Sequence, residues 1–323
     1  MRNGKRETGN GKRAAAGRTV VALFAALLAV AASARAESSS DREEFKRTFQ
    51  KTVSLPSGRK LRVDHSHGKL EIRTHREPRV AISAEIRVSS SDREGAAKFA
   101  DEIRIDVAEG ADGVTVTTRY PQKEWHFKGR GFVSYSVDYD IVMPENAPLE
   151  ARNKFGNVDV RGLKAAADVK NSNGSIEFHD GRGPHRLENA FGSIDATGNE
   201  GNATIVNGNG SVEVTGLRGE LDVTNRFGSV NAVRVTGRSR IHNSNGSVEA
   251  SDLSGPAEVT SSFGSVKAHR VHADLAVKTN NGSIDVSNVE GNATLESSFG
   301  GIRFADVRKR VTVTGTNSRV SGA

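Results

Sequence analysis

Apolar and polar positions in the second half of the chain alternate in short runs, and the runs return every 18 residues. Glycine marks the beat at 156, 174, 192, 210, 228, 246, 264, 282 and 300, with no insertion or deletion between them. Two and four residues after each glycine stand apolar side chains, as in Val158 and Val160, Ile176 and Phe178, or Val212 and Val214. Nine residues after it comes a second small residue (Ala165, Gly183, Gly201, Gly219, Gly237, Gly255, Ala273, Gly291). Thirteen after it comes an aliphatic, from Val169 and Leu187 through to Leu295 and Val313. Each 18-mer therefore reads turn, short strand, turn, short strand. A fixed short period of this kind predicts a solenoid, each repeat one turn stacked on the last. The fold class expected is all-β: a single-stranded β-solenoid, or β-helix, of 18-residue coils. Nine or ten rungs about 4.8 Å apart make a rod of roughly 45 Å.

The residue before each glycine alternates strictly between Phe (155, 191, 227, 263, 299) and Asn (173, 209, 245, 281). The genetic unit is accordingly a duplicated pair of coils. Successive phenylalanines fall two rungs apart, about 9.6 Å, beyond the ~4.5–7 Å range of paired rings. They cannot form a continuous stack, which speaks against an exposed sugar-binding track. Small Ala196, Ala232 and Ala268 occur on Phe rungs where Asn rungs carry Phe178, Val214 and Val286. Such compensating volume predicts phenylalanines pointing into the core. Three residues before each glycine runs a polar line, Asn153, Asn171, Asn189, Asn207, Asn225 and Asn243, then Ser261, Thr279 and Ser297. By strand parity it faces inward, as a corner ladder of amides bonded to one another and to turn backbone. A row of ligand-binding amides is the sharper alternative.

Candidate surface chemistry sits three residues past each glycine. Asp159, Glu177, Asp195, Glu213, Glu249 and Asp285 form an outward column beside a row of serines. The column could bind cations or a basic partner. Neighbouring like charges at this spacing repel by only about 0.9 kcal/mol in water, so a solvated face explains it equally well and no metal is required.

Composition changes the picture at the N-terminus. Arg2, Lys5, Arg6, Lys12, Arg13 and Arg18 precede an apolar run from Thr19 to Ala32 and then Ala34-Arg35-Ala36. A charged start, an apolar stretch too short for a bilayer span and small residues at a cleavage point predict a signal peptide, residues 1–36. Without it the chain carries 39 basic and 38 acidic residues, so the isoelectric point near 9.7 largely reflects the leader. Nucleic acid is therefore not an expected partner. Export to the periplasm or surface of a bacterium is expected, with no stable membrane span after cleavage. Cysteine is absent, which removes disulfides, thiolate metal sites and a lipid-bearing Cys.

Residues 37–150 form the expected N-terminal domain, a β-rich cap carrying one short helix, and the regular solenoid is expected over 151–323. His65-Ser66-His67-Gly68-Lys69-Leu70-Glu71-Ile72 matches Asn171 to Phe178 position by position, so Thr52 to Val88 reads as an early, degenerate rung. Ser91 to Ile103 is amphipathic, with Ala97, Phe99, Ala100 and Ile103 on one side. Strands are expected at Val114–Thr118 and Phe132–Met143. His65 and His67 could suggest a metal site, but both stand in slots of the repeating pattern and read as polar corner residues. Trp125, Lys128 and Arg130 lie in a basic-aromatic loop that offers a contact surface for a glycan or a protein.

The phrase N-x-N-G-S-I/V-E-V, following an exported start and a lead-in such as Val137–Pro144, resembles the bacterial putative-adhesin family of unknown function. Related autotransporter-head-like repeats are similar too, and the resemblance covers about residues 50–323. It implies a β-solenoid and carries no catalytic residue set. The function expected is a non-enzymatic envelope or surface protein, an adhesin or interaction scaffold without cofactor, presenting a repetitive face to an envelope protein or glycan. The alternatives are a carbohydrate-active β-helix enzyme (lyase or hydrolase) built on Asp159, Glu177 and Asp195, and a periplasmic envelope-stress sensor or scaffold. The open C-terminal rung near Val311–Val320 offers a route to self-association by strand addition.

Overall fold

The computed structural model describes residues 43–121 and 133–323. The regular coils begin with β8 (Leu149–Phe155) and β9 (Val158–Arg161), then β10 (Ala167–Asn173) and β11 (Ile176–His179). β12 to β25 repeat this pair, and β26 (Val311–Asn317) and β27 (Val320–Gly322) complete it. Every strand bonds in parallel to its counterpart 18 residues away: Ile176 lies between Val158 and Ile194, and Val169 between Ala151 and Leu187. The strands after the glycine make a 14-stranded sheet (sheet I) and those before it a 13-stranded sheet (sheet II). Their inner faces share one core, in which Val158, Ile176, Val169 and Ile205 are fully buried.

The glycine column is required by contact as well as conformation. Gly228 has φ 117°, and a Cβ there would lie 2.3 Å from the carbonyl oxygen of Gly210. The second small column repeats this at the other corner, where a Cβ on Gly201 would meet Gly183 O at 2.3 Å. Backbones stacked at rung distance leave no room for a side chain at the first turn, and at the second they admit nothing larger than the methyl groups of Ala165 and Ala273.

The cap is built from β1 (Glu43–Ser54), β2 (Lys60–Asp64), β3 (Leu70–His75), β4 (Arg79–Ser90), α1 (Arg93–Glu102), β5 (Arg104–Gly110), β6 (Gly113–Arg119) and β7 (Ser134–Pro144). The degenerate rung is narrower than Thr52 to Val88. Only β2 and β3 lie in the stack, pairing with β8 and β9. β4 instead turns antiparallel between β1 and β7. β6 and β7 form a further rung outside β2 and β3, so a later segment lies above an earlier one. Beyond it the order is antiparallel: β4 and β1 close sheet I, and β5 closes sheet II. α1 starts from Asp92, whose side chain accepts from the Gly95 amide at 3.0 Å, and packs on β4 and β1. It buries Ala96, Phe99 and Ala100, so Ala96 rather than Ala97 completes its apolar side. Asp41–Ala323 is one compact unit. The expected signal peptide, residues 1–36, falls outside the described residues.

Candidate functional site

Two sets of outward side chains and one inward ladder meet at the glycine corner. The ladder is inward, as strand parity requires. Asn153, Asn171, Asn189, Asn207, Asn225 and Asn243 are 5% exposed or less. Their amide nitrogens donate to the turn carbonyls: Asn171 to Gly156 O at 3.0 Å, Asn189 to Gly174 O at 2.8 Å, and Asn243 to Gly228 O and Gly246 O at 3.1 and 2.9 Å. Asn225 also donates to Asn243 Oδ1 at 3.2 Å. These amides fasten the bend from within and face no solvent, so the row is structural.

The phenylalanines do not enter the core. Phe155, Phe191, Phe227, Phe263 and Phe299 are 43–56% exposed. Alternation along the strand would put them on the inner side, but the Asn three residues before each glycine already fills the inside of the bend. The chain turns before the ring can follow, and Phe is left on the outer edge. The small residues at Ala196 and Gly181 have a different cause: they lie beside the buried Phe178 ring, and a Cβ on Gly181 would come within 2.4 Å of it. Asn173 and Asn245 on the alternate rungs fold back, donating to Lys154 O at 3.3 Å and Arg226 O at 3.4 Å. At the cap end His67 occupies the same column and stacks on Phe155, ring centroids 5.1 Å apart and planes within 8°. Beside this ridge, on sheet II, runs a groove of about 570 Å3 floored by Ser172, Ala190 and Gly208, with Lys154 and Arg226 on its lining.

The acidic column stands on the outer face of sheet I. Asp159, Glu177, Asp195 and Glu213 are consecutive neighbours in register, and Glu249 and Asp285 follow across Asn231 and Lys267. It also continues into the cap through Glu71 and Asp140, which the 18-residue beat could not reveal because that rung is out of chain order. Basic side chains balance its lower half: Lys69 bonds Glu71 at 2.7 Å, Arg73 bonds Asp140 at 2.5 Å, and Arg161 bonds Asp159 at 2.9 Å. Asp195 accepts from Thr197 Oγ1 at 2.7 Å. Among the described residues no three His, Cys, Asp or Glu side chains converge as a metal would need. Trp125, Lys128 and Arg130 lie outside the described residues.

Two buried histidines belong to packing. His65 takes the Asn-ladder slot of the cap rung; its Nδ1 pairs with Thr118 Oγ1 at 3.0 Å, and Thr118 with the Tyr139 hydroxyl at 2.7 Å. Burial, helped by the neighbouring His67, pushes its pKa down to about 4. His185 sits in the core against the Phe178 ring, centroids 4.6 Å apart, and burial pushes it down to about 4 as well.

No family model and no curated protein matches this chain. Several solved structures are similar to it in fold. One is a putative adhesin from Bacteroides fragilis (11% identity, 86% of this chain and 97% of that one, TM-score 0.30). A second is a putative cell adhesion protein from Clostridium sporogenes (9% identity, 85% and 99% covered, TM-score 0.21). A third, from Parabacteroides distasonis, is described as a putative lipid binding protein (10% identity, 85% and 96% covered, TM-score 0.33). At such identities and TM-scores nothing about ligand or activity transfers from them. Among the described residues no helix is long and apolar enough to cross a membrane.

Proposed function

We propose that the protein is a non-enzymatic, exported envelope or surface protein, an adhesin or interaction scaffold that works through a repeated outer face. The supporting observation is the line of five half-exposed phenylalanines on one edge of an unbroken stack. Exposed apolar side chains scattered singly need no explanation, whereas an ordered row of them marks a contact surface. The rigid coil gives that row constant spacing, which suits a partner that is itself extended or repetitive. Sheet I adds a second outward pattern of serines and carboxylates whose charges are largely balanced in its lower half.

The test is cell fractionation of the expressing bacterium, followed by binding of the purified full chain to intact cells, cell-wall preparations and matrix proteins. Recovery in the envelope with saturable binding is the expected outcome. Purified protein that releases reducing ends from a polysaccharide and holds no stable partner would overturn it.

A further inference from the structure

We propose that the Phe edge and the adjoining outer face of sheet II form the interface between two copies of this chain, packed antiparallel about a two-fold axis. The inference rests on the reading of the Phe edge as a contact surface and names its partner.

Ring spacing is the first argument. Within one chain the phenylalanines are about 9.6 Å apart, too far to touch. At the cap end, where adjacent rungs do carry rings, His67 and Phe155 stack on this edge. A second copy running the opposite way, displaced by an odd number of rungs, sets its rings into the Asn gaps. Rings from the two copies then alternate at about 4.8 Å, inside the ~4.5–7 Å range of favourable aromatic pairs. Two of the gaps are held open by Asn173 and Asn245, which fold back onto the preceding rung. A parallel two-fold keeps each ring level with its own copy and cannot interdigitate.

Charge chooses the register. A two-fold running across the rungs lays each outward column on itself upside down. When Gly210 lies level with Gly264 of the second copy, the coils of Gly174 and Gly300, Gly192 and Gly282, and Gly228 and Gly246 also come level. In the column four residues before the glycine, the ion pairs Lys170–Glu188 and Lys278–Glu296 that each chain makes within itself then lie crosswise, Lys170 facing Glu296 and Glu188 facing Lys278. In the column six before it, Asp222 faces Arg240. Neither column opposes like charges. Slipping by two rungs keeps the rings interdigitated, but one way it sets Arg152 against Lys278, Asp168 against Glu258 and Arg186 against Arg240, and the other way it keeps only Arg240 against Glu258 as an opposed pair of unlike charges. Like charges so placed are a penalty on the wrong register. Close approach is allowed by the column two before the glycine, where Ser172, Ala190 and Gly208 would oppose Ser298, Asn280 and Ser262.

Area is sufficient. Rings about half exposed contribute on the order of 100 Å2 each. Five from each copy then bury roughly 1,000 Å2 before the sheet face is counted, which reaches the size of a specific interface.

Sedimentation velocity of the purified full chain should show a dimer. The triple variant Phe191→Ser/Phe227→Ser/Phe263→Ser should weaken dimerisation at least 100-fold with an unchanged far-ultraviolet spectrum, since all three rings lie outside the core. Orientation is read by cross-linking, which is clean because the chain has no cysteine. A short bis-maleimide should join Ser172→Cys chains to Ser298→Cys chains in a mixture, and neither variant to itself. A monomer at all concentrations, a dimer indifferent to the triple variant, or self-linking of Ser172→Cys would each overturn the proposal. A monomer whose Phe edge binds a glycan or cells would overturn it too while leaving the functional reading in place. A dimer that binds no envelope component would do the reverse.

Discussion

At the scale of single residues, the backbone carries a demand that composition conceals. Six residues past each corner glycine the chain adopts a left-handed conformation: Gly162, Gly198 and Gly216 do so at φ 71–74°, while Asp180, Arg234, Asp252, Arg270, Asn288 and Asp306 do so at φ 54–56°. Asp and Asn tolerate this region, but for arginine it is a cost. Arg270 gains a salt bridge to Asp252 at 2.5 Å across one rung. Arg234 is therefore the better place to relieve the strain. Arg234→Gly should stabilise the chain by about 0.5–1 kcal/mol, the left-handed penalty less the extra entropy of glycine. A rise in the urea midpoint checks it; no change or a fall would show that the Arg234 side chain contributes more than its backbone costs.

At the scale of the element, a coil is two short strands joined at a bend that must be held from inside. Each Asn of the ladder ties a turn carbonyl to strand, which spares that carbonyl from being buried unpaired. Toward the C-terminal end the slot is taken by Ser261, Thr279 and Ser297, and of these Ser297 reaches Gly282 O only at 3.5 Å. Asn225→Ala removes two donations, to Gly228 O and Asn243 Oδ1, from a fully buried site. It should cost about 2 kcal/mol, read as a lower urea midpoint, and Asn225→Ser should cost less. Equal stability of Asn225→Ala and wild type would show that the ladder bonds do not hold the bend.

For the whole molecule, the buried histidines couple stability to acidity. His65 and His185 titrate near 4 when folded against an ordinary value of 6.5. The unfolded chain thus binds more protons between those values, and stability rises with pH across that window. Their contribution is complete above pH 6.5 and is lost as pH falls toward 4, up to roughly 3 kcal/mol for each. His185→Leu, which copies Leu221 and Leu275 of the same inward column, should flatten part of that dependence. Urea midpoints at pH 7.5 and 5.0 measure it; an unaltered slope in the variant would show that His185 is not the titrating group.

The 18-residue period alone determined the coil, its two corners and the inward Asn row, because a repeat of constant length can bury its aliphatics and pair its backbone only by stacking in register. The echo at His65–Ile72 likewise placed one rung of the cap. Three features waited for tertiary structure. Rung order in the cap depends on β6 and β7 passing over β2 and β3, a long-range pairing with no local signal. The left-handed column was hidden because Arg and Asp share it with Gly. The outward direction of the phenylalanines was decided by competition for one space: the amide of Asn225 and its counterparts takes the inside of the bend, and strand parity ends where the chain turns.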